Sequence, residues 1–141
     1  KIEISRHVVK HGDSVKDVTF SVTDLESILQ YAKSKNAQIV RDSQVWRDEN
    51  GVLRWATIKT FGDVVHTLID RSNYRGDFLP GFEKPRFKNQ ILGNLPETNL
   101  QYIDHVVGNQ ANNQLESIVQ WFVNFEFEEH VWHSSRIFKN V

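Results

Sequence analysis

The sequence predicts an α+β chain: one complete strand–helix–strand–strand–strand module over residues 15–70, and the opening of a second copy from residue 100. Two observations carry this reading. The first is an internal repeat, the feature to look for before any other. SVKDVTFSV (Ser14–Val22) is followed by LESILQYA (Leu25–Ala32), and QYIDHVVGNQ (Gln101–Gln110) is followed by LESIVQWF (Leu115–Phe122). Laid over each other, VKDVTF and IDHVVG place Asp17 opposite His105, with the two LESI runs two residues out of step. The second observation is the run of three strand-like segments after the first LESI helix.

In chain order, Lys1–Val9 alternates Ile2 and Ile4 before Val8-Val9 and reads as an edge strand, closed by the turn residues His11-Gly12-Asp13. Val15–Val22 places Val18, Phe20 and Val22 at period two, the signature of a strand. Thr23 or Asp24 can accept an orphan backbone N–H and start a helix. Leu25, Ile28, Leu29 and Ala32 then form one apolar stripe. Ala37–Arg41 reads as a short strand. Asp48-Glu49-Asn50-Gly51 is a hairpin signal, because Asn-Gly tolerates the positive φ of a tight turn. Val52–Thr60 and Val64–Ile69 complete the module across a Gly62-Asp63 turn.

Ser72–Asn99 holds all the prolines and no sustained periodicity, and FLPGFEKPRF alternates aromatics with turn residues, as a connector pinned to a surface would. Gln101–Gln110 reads as a short buried strand carrying His105, and residues 115–123 as a helix. FEFEEHVW from Phe125 is a further strand candidate. The chain opens on Lys1, contains no methionine and closes on Val141 within a strand-like run, so we expect a piece of a longer polypeptide.

The 141 residues fit about one domain with a real core. A net charge of −1 gives no electrostatic footprint for nucleic acid or an anionic membrane. No apolar run approaches the roughly 18 residues of a spanning helix. With no cysteine, disulfides and thiolate metal sites are excluded, which suits a reducing cytoplasm.

By residue type, His105 between Ile103, Val106 and Val107 is either a core histidine satisfied by its neighbours or a metal ligand on a rigid element. A facial iron(II) site needs two histidines and a carboxylate. His66 in VVHTLI is a second ligand or a plain strand histidine. Asp17 is a ligand or a hydrogen-bonded strand residue. His7 and His11 flank a turn, His130 and His133 lie in a strand end, and Glu126, Glu128 and Glu129 read as a solvated face. No phosphate loop, nucleophile elbow or zinc-knuckle spacing occurs.

HGDSVKDVTFSV, FGDVVHTLIDR, FLPGFE and above all IDHVVGNQ resemble the 4-hydroxyphenylpyruvate dioxygenase family, in order and spacing, from about Val8 to Trp121. The match fades from about Phe125. The resemblance implies the vicinal-oxygen-chelate fold (the glyoxalase, bleomycin-resistance and dioxygenase type), built of paired βαβββ modules. Residues 1–73 would then be the last module of a metal-free N-terminal domain, 74–99 a connector, and 100–141 the truncated start of the catalytic domain. His105 would be the first of three Fe(II) ligands, Val107 would line the substrate pocket, and Asp17 would be the degenerate counterpart of a ligand. The other two ligands would lie downstream, leaving this piece inactive alone.

The implied reaction, in tyrosine and phenylalanine catabolism, takes a 2-oxo acid substrate and O2 to homogentisate and CO2, without nicotinamide or flavin. Nucleic acid and membrane are not expected partners, and two copies pairing through an open sheet edge would give a homodimer. Hydroxymandelate synthase and a catalytically dead binding or structural module of the same fold are the rival readings.

Overall fold

The computed structural model describes residues 2–84, 86, 87 and 90–124. In chain order its elements are α1 (Ile2–His11), β1 (Asp17–Val22), α2 (Leu25–Ser34), β2 (Ile39–Asp48), β3 (Gly51–Lys59), β4 (Val65–Tyr74), α3 (Gln90–Gly93) and α4 (Leu115–Asn124). The strands form one sheet in the order β1-β4-β3-β2, with β1 parallel to β4 and the other neighbours antiparallel. This is the expected βαβββ module of the vicinal-oxygen-chelate type. The parallel β1–β4 pair requires a long crossover, and α2 with the β2–β3 hairpin supplies it.

Alternation in the strands and helical spacing in α2 build one core. Phe20, Leu68 and Ala56 lie side by side across β1, β4 and β3, as do Val18, His66 and Ile58. That row faces α2, where Leu25, Ile28, Leu29 and Ala32 are all buried. The core unites Val22, Leu25, Ile28, Leu29, Ala56, Ile58 and Leu68, with Phe20, Ile39 and Trp121 packed against it. α2 starts where Asp24 Oδ1 accepts the Ser27 N–H at 3.1 Å, as the capping argument required. Thr57, Thr67 and Asp17 belong to the opposite face of the sheet, turned away from α2.

Several elements differ from the sequence expectation. Lys1–Val9 was expected as an edge strand, and α1 stands there instead. Its apparent alternation is two isoleucines long, and Ile4, Val8 and Val9 are exposed. Local helix chemistry decides: Glu3 in the first turn and Lys10 and His11 in the last oppose the helix dipole. Gly12 at φ +68° then ends the helix, its N–H donating to Val8 O at 2.8 Å. β2 was expected to stop near Arg41 but runs to Asp48, because a register irregularity between Arg41 and Gln44 absorbs the polar Asp42-Ser43 stretch. β4 likewise runs past Ile69 to Tyr74, whose hydroxyl donates to Asp48 Oδ2 at 2.9 Å.

The largest correction concerns Gln101–Gln110. No helix or strand forms there, and the stretch is exposed rather than buried, apart from the half-buried Gln110. A strand needs a hydrogen-bonded neighbour, and none of the described residues pairs with it. The helix expected at 115–123 is present as α4. The FEFEEHVW strand candidate, His130, His133 and Glu126, Glu128 and Glu129 lie outside the described residues.

Candidate functional site

The repeat singles out one position in each unit, and the structure gives them different surroundings. In the first unit, β1 carries Asp17 on the face turned away from α2, beside β4. Both carboxylate oxygens are taken there: Oδ1 accepts the Thr67 N–H at 3.0 Å and Oδ2 the Thr67 hydroxyl at 2.6 Å. Thr57 Oγ1 lies 3.1 Å from the same hydroxyl. Asp17 is therefore a hydrogen-bonded strand residue that ties β1 to β4. Thr67→Val keeps the side-chain shape and removes the hydroxyl, and is expected to cost roughly 1–2 kcal/mol in urea unfolding. An unchanged midpoint would show that the pair contributes nothing.

In the second unit, the equivalent His105 lies in the extended stretch before Gly108. Its side chain is 66% exposed, and Nδ1 stands 2.6 Å from Asp104 Oδ2. Because a carboxylate only accepts, the proton of the neutral ring belongs on Nδ1, leaving the Nε2 lone pair outward. A carboxylate behind an imidazole in this way orients a metal-binding histidine and raises its basicity. Val107, two residues on, is also exposed. Gly108 seats this stretch on the first module: a Cβ there would stand 2.7 Å from Phe61 Cζ. Phe122 of α4 reaches the same place, 5.9 Å from the Phe61 ring and 6.2 Å from that of His66.

His66 belongs to another environment. It faces α2 from β4, edge-on to Phe20 at 5.0 Å, and its buried Nδ1 has no hydrogen-bond partner among the described residues. Burial holds its pKa below the ordinary histidine value, against the opposing charge of Asp17. Among the described residues, no three His, Cys, Asp or Glu side chains are grouped to hold a metal ion. The donor chemistry at His105 fits a metal as one ligand, and the set it would join is not completed among the described residues.

A second polar group went unnoticed in the sequence, because it depends on α1 being a helix. Four residues apart, His7 and His11 bring their rings to 4.6 Å on one side of α1. His7 Nε2 meets Ser14 Oγ at 2.9 Å. Asp63, in the β3–β4 turn, accepts from Lys10 Nζ at 2.6 Å and from His11 Nε2 at 2.8 Å. These bonds hold the Asp63 carboxyl well below the usual carboxylate range, Lys10 contributing most. The sign of the pH effect follows. A pKa depressed in the folded state gives stability that is present above the unfolded value of 3.8 and lost as pH falls through the folded one. Urea midpoints are thus expected to drop as pH falls below about 4, less steeply in Asp63→Asn. Equal slopes would remove Asp63 from the account.

No family model matches the chain. It is 47% identical over 120 residues to a 4-hydroxyphenylpyruvate dioxygenase of Caenorhabditis elegans, covering 85% of this chain and 30% of that protein. The protein of the same name from Caenorhabditis briggsae is 46% identical over 122 residues, or 86% of this chain and 31% of the relative. That of Xenopus tropicalis is 44% identical over 121 residues, or 85% and 31%. The chain thus spans about 30% of the length of the curated relatives it matches, and over that span it is similar in sequence to the 4-hydroxyphenylpyruvate dioxygenases.

Proposed function

We propose that this chain is part of an iron(II)-dependent dioxygenase converting 4-hydroxyphenylpyruvate and O2 to homogentisate and CO2 in tyrosine catabolism. The observation that carries the reading is the identity of 44–47% to three relatives of that name over at least 85% of the chain. In this reading residues 1–73 close a metal-free domain, 74–99 connect, and 100–141 begin the iron-binding domain. A cytoplasmic location, which a chain without cysteine suits, and a homodimer complete the reading.

His105 would be one of three ligands in a facial site, holding the metal through Nε2 while its Nδ1 proton stays on Asp104. Val107 supplies an apolar wall to the substrate pocket. When bound, iron(II) activates O2 for oxidative decarboxylation of the 2-oxo acid and hydroxylation of its ring. Of the chain's own groups, Asp104 would fix the imidazole. Asp17 would serve the β1–β4 pairing instead, both of its oxygens accepting from Thr67.

The test is product identity. The natural full-length protein, supplied with Fe(II), 4-hydroxyphenylpyruvate and O2, is expected to release homogentisate and CO2. Release of 4-hydroxymandelate would replace the reading with the synthase. No consumption of substrate by folded, iron-loaded protein would replace it with a binding module.

A further inference from the structure

The face of the sheet turned away from α2 carries a feature that iron chemistry leaves unused. α1 stands beside Val40, Lys59 and Val65, and between them opens a cleft of about 270 Å³. Four cationic side chains, Arg6, Lys10, Lys16 and Lys59, line it against two acidic ones, Glu3 and Asp63. The chain as a whole carries −1, so an excess of two positive charges is gathered in this one place. Asp63 engages Lys10 at 2.6 Å and lies 3.9 Å from Lys59. Arg6 and Lys16 form no ion pair with any described residue.

We propose that this cleft binds a small doubly charged oxyanion, a phosphate group, with Arg6 and Lys16 as its main ligands. Three arguments converge on that class. A dianion matches the excess of two positive charges. Arginine offers a planar fork of donors that fits phosphate oxygens, and lysine adds a point charge. The cleft is open to solvent, so a hydrated anion can enter it.

Spacing alone would suggest a divalent cation instead. Glu3, His7 and His11 stand four residues apart on α1 with Asp63 across the cleft. The cations oppose that. Lys10 already occupies the Asp63 carboxylate, and no metal-holding group forms among the described residues. His7 registers the same positive field. Burial first, then the charges of His11, Lys16 and Lys10, hold its pKa below the ordinary value, with Asp63 opposing them. Arg6 and Glu3 complete the charged groups around the cleft.

The experiment follows the His7 ring by NMR in the intact chain, with inorganic phosphate or with potassium chloride at equal ionic strength. Phosphate is expected to saturate and to raise the midpoint of the His7 titration by about 0.5 or more relative to chloride. In Arg6→Gln/Lys16→Gln, phosphate affinity is expected to fall at least about tenfold. Arg6 is exposed and Lys16 half-buried, so the fold is expected to survive both changes. Identical midpoints in phosphate and chloride would overturn the proposal, and the wild-type chain alone decides that. So would wild-type affinity in the double variant, or a response to zinc ions with none to phosphate. This test is independent of the iron reading.

Discussion

Leu29→Ala is expected to lower the unfolding free energy by about 2–5 kcal/mol, the range for removing a buried leucine side chain where neighbours relax only in part. Leu29 is 1% exposed, on the α2 stripe that closes over the sheet. Its core partners come from β1, β3 and β4, so a cavity there loosens every strand that α2 touches. Domains are stable by only about 5–15 kcal/mol, so the loss is a large fraction of the whole. The check is urea unfolding, with a lower midpoint and an unchanged slope. A cost below about 1 kcal/mol would mean that α2 is not seated as described. Val9→Ala is the control, since Val9 is 89% exposed and has little apolar burial to lose.

Gly51→Ala is expected to be nearly as damaging, at about 3 kcal/mol, for a reason of backbone rather than core. Gly51 closes the β2–β3 hairpin at φ +125°, a conformation that L side chains rarely adopt. It also pairs with Tyr74 of β4, so it sits between two strands. A Cβ there would run into the Asn73 carbonyl, overlapping its oxygen and reaching within 3.3 Å of its carbon. Neither strand can withdraw without breaking the ladder. Gly62→Ala provides the contrast: φ is +52°, and nothing lies within 4 Å of the added carbon. Only the left-handed backbone cost of about 1–2 kcal/mol applies there. Equal losses at the two glycines would show that the close approach to Asn73 contributes nothing.

The first module was legible because its signals are local and agree with one another. The α2 stripe, a cap at Thr23 or Asp24 and a hairpin at Asn50-Gly51 are each written in neighbouring residues, and the structure has the stripe, the cap at Asp24 and the β2–β3 hairpin. α1 was misread because Ile2, Ile4, Val8 and Val9 are β-branched and fit a strand by type, while its true determinants are charges at the ends and Gly12. The Lys10–Asp63 and His11–Asp63 contacts could not be seen, since they join residues more than 50 positions apart. The stretch around His105 was misread for the opposite reason. Its apolar residues around His105 suggest a buried strand, but such a run becomes a strand only beside a partner, and the described residues offer none. Spacing cannot reveal the Asp104 carboxylate behind His105, because adjacent residues in a regular strand face opposite ways.

The central claim is that His105 is an iron ligand, and iron content tests it most directly. The natural full-length protein and its His105→Ala variant would be loaded anaerobically with Fe(II), freed of excess metal and assayed for bound iron. The account predicts about one iron per chain in the natural protein and less than about one-tenth of that in a folded variant. A variant that retains as much iron as the natural protein would contradict it.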